Sequence, residues 1–287
     1  MYRCDLTSEI EASILQKCKK NDVRLITFEF VDILGTPKSV TIPMEHLEEA
    51  LANGVGFGLS GGVDSSVVAT LCVQALSKTR VLGILLPTTF TPQQDVADAQ
   101  ELANWLGIRT KTVQIQPLYN AFAQVLDCDP RGSTEKPLFA NVLARIRMTL
   151  LYYYANRNHY LVAGTGDRSE DLIGYFTKHG DGGVDFLPIS HLYKTQVRAF
   201  ATYLGVPERI AYKPSSPQLY PGHQATDEIP IDYEKLDLVL VGLYDEKLSP
   251  DDVSRYTEVP IDIVKDTQRR VTASTHKRVY PPMLRDW

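Results

Sequence analysis

Gly58-Leu59-Ser60-Gly61-Gly62-Val63-Asp64-Ser65-Ser66 is the stretch whose reading decides the fold. It stands between a short apolar segment, Val55 to Leu59, and a helical pattern, Ser65 to Leu76. A strand, a glycine turn and a helix start, in that order, form a phosphate-binding geometry. Gly61 and Gly62 can adopt backbone angles that gather successive N–H groups into a concave nest. Ser60, Ser65 and Ser66 add hydroxyls, and the following helix points its positive end at the same spot. Asp64 is the odd member, because a carboxylate beside phosphate repels it. A cation between them removes the conflict, and Mg2+ takes one or two carboxylates together with phosphate oxygens. A plain strand-to-helix turn with Asp64 near the cap is the alternative. Two glycines, three serines and an acid so close together speak against it.

Composition bounds the rest. The 287 residues suffice for one large domain or two, and 44% hydrophobic content supports a substantial core. A net charge of −5 gives no basic excess for nucleic acid. Arg269-Arg270 and Lys277-Arg278 are short basic clusters of the kind that sit in solvent. There is no secretory leader and no apolar run of about 18 residues, so no membrane association is expected. Cys4, Cys18, Cys72 and Cys128 form no Cys-x-x-Cys pair, which argues against zinc and dithiol chemistry and for a reducing cytoplasm.

Upstream of the loop, Ser8 and Glu11 cap a helix expected over 7–20. Val23 to Val31 reads as a strand and Ser39 to Ile42 as its return, a hairpin closed by Asp32 to Pro37. Pro43 opens a short helix that Asn53-Gly54 ends. Glycines 54, 56 and 58 weaken the strand that follows.

Downstream, strands and helices alternate. Strands are expected over Arg80–Leu86, Arg109–Ile115 and Tyr160–Ala163. Helices are expected from Thr91 to Leu106, around 118–126 and from Pro137 to Asn156. This order predicts a doubly wound α/β parallel sheet, residues 55–287, preceded by a small α+β appendage, residues 1–54. Ligands in such sheets bind beyond the carboxyl ends of the strands. Pro214 to Pro230 reads as a long loop and candidate lid, and Ser249-Pro250-Asp251 caps a C-terminal helix.

A second strand-to-helix turn, Gly164-Thr165-Gly166-Asp167-Arg168-Ser169-Glu170, falls on the same edge. Glu170 can meet Asp64 across a bound Mg2+, or simply serve its own helix dipole. Phe176-Thr177-Lys178 and Gly180-Asp181-Gly182-Gly183-Val184-Asp185 form a polar loop. Lys194 opens a helix, where its charge opposes the dipole unless a phosphate lies nearby.

Ser60-Gly61-Gly62-Val63-Asp64-Ser65 resembles the pyrophosphate loop of the ATP pyrophosphatase group, whose members split ATP into AMP and pyrophosphate. Residues 22–57, with Phe30 to Lys38, Val40 to Pro43 and Leu47 to Leu51, resemble the N-terminal β-grasp domain of glutamine synthetase. That family's ammonia-pocket acid is missing here. Gly58 to Trp287 resembles the ammonia-dependent NAD synthetases along nearly its whole length. The loop, Asn141-Val142-x-Ala144-Arg145-Ile146-Arg147-Met148, Gly164 to Glu170, Gly174 to Gly183, Lys194 and His276-Lys277-Arg278 carry the likeness.

The resemblance implies ATP-dependent amidation of deamido-NAD by ammonia through an acyl-adenylate, a ligase reaction with Mg2+ as cofactor and ATP as co-substrate. It implies that Gly58, Leu59, Ser60, Gly61, Gly62, Val63, Asp64, Ser65, Thr165, Lys194 and Ser216 contact ATP. Asp64 and Glu170 would hold Mg2+, and Asp64, Lys194 and Asp185 would carry catalysis. Arg145, Lys178, Asp185, His276 and Lys277 would bind deamido-NAD, the last two across the interface of a homodimer. No glutaminase set can be assigned, so free ammonia is the expected nitrogen donor. Another ATP pyrophosphatase, of the GMP synthetase type, and an inactive chimera or nucleotide-binding module are the competing readings.

Overall fold

The computed structural model describes residues 25–31, 37–43, 53–130, 132 and 134–279. The helix expected over 7–20, the turn at 32–36 and the short helix after Pro43 lie outside the described residues. The expected hairpin is present: β1, Leu25–Val31, pairs antiparallel with β2, Pro37–Pro43.

The main sheet is parallel throughout. It contains β3, Val55–Gly58; β4, Val81–Leu85; β5, Arg109–Thr112; and β6, Leu161–Val162, in the order β5-β4-β3-β6. β4 is buried at every position, which explains why it reads as an unbroken apolar run rather than an alternation. β5 is the polar edge strand. It stops at Thr112 rather than Ile115, although Val113 and Ile115 still donate backbone hydrogen bonds to Leu85 and Pro87. Successive strands add on one side of β3 until β6 joins on the other. The switch point therefore lies between β3 and β6, where both glycine turns emerge.

The glycines of β3 are an adaptation to packing. Val55 and Phe57 join the core cluster with Val63 and Val67 of α1, Val63–Leu76. Gly56 and Gly58 face α4, Glu135–Asn158, where an added methyl would already sit 3.9 Å from Ala155 Cβ and 3.7 Å from a Leu151 methyl. Nothing much larger than alanine fits there, so the long helix lies close against the strand. α2, Gln93–Leu106, packs beside α1 on the other face, and α3, Gln116–Val125, packs against α4.

After β6 the chain runs into α5, Arg168–Ile173; α6, Lys194–Tyr203; and α7, Glu208–Ala211. The expected long loop follows, with Ala225–Asp227 its one regular turn. α8, Tyr233–Leu240, continues as a π-helical turn. α9, Pro250–Thr257, is capped by Ser249 as expected, and α10, Ile261–Ala273, and α11, Thr275–Arg278, complete the described residues. Ile173, Tyr193, Ile229, Tyr233, Leu236, Leu240 and Val271 form a second core that docks these helices beneath the carboxyl edge of the sheet.

Candidate active site

A cavity of about 490 Å³ opens at the carboxyl ends of β3 and β6. Residues 58–65 border it except Gly61, which turns away. The serines first build the loop itself. Ser65 Oγ and Ser66 Oγ both donate to the Gly62 carbonyl, at 3.1 and 2.8 Å, and Ser60 Oγ lies 3.0 Å from Ser65 Oγ. Gly62 is the N-cap of α1 and supplies no side chain to it. The first-turn N–H groups of α1 are thus left uncapped at the cavity wall.

Opposite the loop, Asp167 caps α5 in a reciprocal capping box with Glu170. This fixes two acids of the Gly164–Glu170 turn. Lys194 opens α6 and is fully buried. Its Nζ lies 2.8 Å from Asp64 Oδ2, 2.8 Å from Asp167 Oδ2 and 3.0 Å from Glu170 Oε1. Burial works against the ammonium, but the three carboxylates outweigh it and hold its pKa well above the ordinary lysine value. Burial, with Asp167 and Asp64 as neighbours, pushes Glu170 well above the ordinary carboxylate range.

The dipole cost of a lysine at a helix start is met by Asp237 of α8. Its Oδ2 accepts from Thr195 N at 2.8 Å, and its Oδ1 accepts from Ser169 Oγ at 2.5 Å. Ser169 Oγ in turn accepts from Lys194 N at 2.9 Å.

Three acidic side chains converge on one ammonium, and the raised pKa of Glu170 is the mark of that acidic excess. Asp64 Oδ1 is buried without a hydrogen-bond partner. That oxygen and that acidic excess fit a divalent cation. Among the described residues no group of three or more His, Cys, Asp and Glu side chains could hold a metal by themselves. A cation here therefore needs ligand oxygens to complete its shell.

The other expected residues divide. Thr165, Ser216 and Lys277 line the cavity. Ser216 Oγ donates to the His223 carbonyl. Lys277 Nζ donates to the carbonyls of Gly174 and Phe176 at 2.7 Å, within its own chain. Arg145, Lys178 and His276 do not line the cavity but join as a rim. Arg145 donates to the Lys178 carbonyl at 3.3 Å, and Lys178 Nζ donates to the His276 carbonyl at 2.7 Å. Asp185 stands apart. Its carboxylate accepts from Val162 N at 2.7 Å and from Tyr152 OH at 2.8 Å, tying the end of β6 to α4.

Several lining residues were given no site role from sequence. Ala140, Ala144, Arg147, Met148 and Leu151 form the cavity face of α4 at helical spacing. Arg145 falls off that stripe, and the same periodicity would have pointed to Arg147. Burial lowers the Arg147 guanidinium to about 10. His223 stacks on Tyr220 at 3.7 Å and lies 3.4 Å from both Tyr175 OH and Glu228 Oε1. It sits in the long loop, where no periodicity marks it. Lys213 is the third omission.

The NAD synthase family profile matches residues 38–281. The match starts inside the segment assigned to the appendage. A protein of Hyperthermus butylicus named NH(3)-dependent NAD(+) synthetase is 50% identical over 238 residues, 83% of this chain and 85% of its own. A protein of the same name from Pyrobaculum aerophilum is 49% identical over 243 residues, 84% of this chain and 88% of its own. Among solved structures, an NH3-dependent NAD synthetase of Campylobacter jejuni superposes with a TM-score of 0.66 at 32% identity, over 81% of this chain and 89% of its own. An NMN synthetase of Francisella tularensis superposes with a TM-score of 0.69 at 33% identity, over the same shares.

Proposed function

The chain belongs to the NAD synthase family, and from that premise we propose how its site carries out the ATP-dependent amidation of deamido-NAD with ammonia. The nicotinate carboxylate attacks the α-phosphorus of ATP and pyrophosphate leaves. Ammonia then attacks the acyl-adenylate, giving NAD and AMP. The protein's part is positioning and charge stabilisation.

The observation that carries this reading is the convergence of Asp64, Asp167 and Glu170 on Lys194 beside the phosphate loop. In this proposal the N–H groups of the loop and of the first turn of α1 receive the ATP phosphates. Thr165 and Ser216 border the nucleotide. Asp64 and Glu170 would hold Mg2+, which when bound supplies the charge that lets carboxylates sit beside phosphate. Lys194 keeps the acids converged. Two of its N–H groups are hydrogen-bonded to Asp64 and Glu170, and Asp167 stands beside it as an ion-pair partner. Lys277 and the rim of Arg145, Lys178 and His276 would meet deamido-NAD. Asp185 contributes by holding β6 against α4.

We keep residues 1–54 as a β-grasp-like appendage to a 55–287 domain. The β1–β2 hairpin supports it, and the family match from residue 38 counts against a boundary so late. The proposed assembly is a homodimer, in the cytoplasm. No helix among the described residues is long and apolar enough to cross a membrane.

The test is NAD formation from deamido-NAD, ATP, Mg2+ and ammonium, with nicotinate mononucleotide and glutamine as parallel arms. Turnover with deamido-NAD and ammonium is expected. Preference for the mononucleotide, or turnover with neither nucleotide, would refute the reading.

A further inference from the structure

The loop that carries Ser216 is fastened to the phosphate loop by a charge cluster that the proposed reaction does not use. Lys213 Nζ donates to the Gly61 carbonyl at 2.9 Å, to Asp95 Oδ1 at 2.8 Å and to Asp98 Oδ2. An ammonium has three N–H groups, and all three are committed here. Lys213 borders the cavity yet keeps no donor for a phosphate.

Asp98, on α2, is 1% exposed and also accepts from Gln94 Nε2 at 2.9 Å and Arg209 Nε at 3.3 Å. Gln218, two residues past Ser216 in the loop, donates to Asp95 Oδ2 at 2.6 Å. From α4, Arg147 donates to the carbonyls of Pro217 and Gln218 at 3.3 and 3.0 Å. The segment 213–218 is held from both walls of the cavity.

Gly61 shows what this does to the phosphate loop. Its φ is +78°, and any Cβ would lie 2.2 Å from the Asp95 carbonyl oxygen, so the turn rests directly on the first turn of α2. A trans peptide sends its C=O and the next N–H to opposite sides. With the Gly61 carbonyl drawn to Lys213, the Gly62 N–H faces the other way, where it donates to Ser60 Oγ at 3.2 Å. Ser60 and Gly62 border the cavity and Gly61 does not.

We propose that Lys213 is a positioning residue: it fixes the Gly61–Gly62 peptide so that the loop N–H groups face the nucleotide phosphates, and it brings Ser216 to the same nucleotide. Together with Arg209, which also pairs with Asp98, it offsets the charge of Asp95 and Asp98, which would otherwise repel phosphate. The inference rests on the nucleotide-binding reading above.

The experiment measures MgATP binding to the full chain by titration calorimetry, beside steady-state kinetics. For Lys213→Met, ATP affinity and kcat/KM for ATP should fall roughly 10²-fold. KM for deamido-NAD should stay within about twofold, since the rim that meets it is held elsewhere. Adding Asp98→Asn should restore part of the loss by removing a buried unpaired charge. The salt dependence of ATP binding should be unchanged, because the lysine is neutralised internally.

Unchanged ATP affinity in folded Lys213→Met overturns the proposal. So does a flattened salt dependence without rescue by Asp98→Asn, which would make Lys213 a direct phosphate ligand. If Lys213→Met does not fold, Asp95→Asn takes its place, with weaker ATP binding expected and wild-type affinity overturning the idea. A wild-type chain that binds MgATP but forms no NAD refutes the reaction while calorimetry still judges Lys213. One that binds no MgATP removes both.

Discussion

Lys194 is the residue on which the most charge depends. Three acids lean on one buried ammonium, and Lys194→Met would leave them facing each other. Removing one member of a buried ionic group costs roughly 3–5 kcal/mol. A fall of that order in unfolding free energy, read from denaturant midpoints, is the expected outcome, and Lys194→Met/Asp167→Asn should recover part of it. Equal stability of Lys194→Met and wild type would mean the acids are not ionised together. Asp64→Ala removes an acid that borders the cavity and holds the orphaned oxygen. Its expected effect is a loss of roughly 10²–10³-fold or more in kcat, and Mg2+-dependent turnover at the wild-type rate would contradict the site. Asp98 supplies a pH signature. Burial alone would raise its carboxyl, but Lys213, Gln94 and Arg209 outweigh burial and hold it below the ordinary value. An acid with a depressed folded pKa stabilises the protein above its unfolded pKa, and that contribution is lost as pH falls through the folded one. Asp98→Asn should therefore flatten the acid limb of a thermal-melting profile below about pH 4. A limb of unchanged steepness would show that Asp98 is not the group responsible.

At the scale of elements, α5 and the α10–α11 corner depend on one glycine. Gly174 ends α5 at φ +69°, and a Cβ there would lie 2.1 Å from Ser274 Cβ. Arg278 bolts the same corner by donating to the carbonyls of Asp171, Leu172 and Val271, and Lys277 reaches the cavity from it. Gly174→Ala should cost roughly 2–4 kcal/mol, from left-handed strain and overpacking together. It should also raise KM for deamido-NAD more than KM for ATP. Equal effects on the two would separate Lys277 from the dinucleotide. The elements around this corner were unevenly legible. The strand–loop–helix at Val55–Leu76 was readable because glycines, serines and an acid are local signals. The alternation that follows was readable because β4 and the helices carry strong apolar patterns. Between α8 and α10 only the Ser249 cap of α9 was readable, since the packing of α8 and α10 against α5 depends on scattered contacts such as Tyr233 and Val271. Distance in the chain also hid Lys213, which meets Asp95 118 residues away. Resemblance named Arg145, yet the face of α4 turned to the cavity carries Arg147, two residues on. Asp185 was read as a substrate contact, and the signal in the sequence could not show that its carboxylate also accepts from Val162 N and Tyr152 OH.

For the whole molecule, the open question of assembly has a physical handle on α3. Tyr119 turns inward, packing edge-on to Phe139 at 4.6 Å and to Phe90 at 5.7 Å. Leu118, Phe122, Val125 and Leu126 recur at helical spacing on the exposed side, with Val125 82% exposed, and Leu138 of the adjoining α4 extends the patch. Contiguous apolar surface of this kind marks an association site, and a two-fold pairing buries the same patch on both copies. Val125→Asp would place a charge in that contact. Light scattering should give twice the chain mass of 32.1 kDa for the wild type and the single mass for the variant. Lys277 lines the cavity of its own chain, so the monomer should keep MgATP binding within about twofold. A wild-type chain that runs as a monomer at micromolar concentration would sink the pairing through α3. A monomeric variant that loses ATP binding would mean that the cavity is completed by a second copy, and the positions to examine then are Arg145, Lys178 and His276 on its rim.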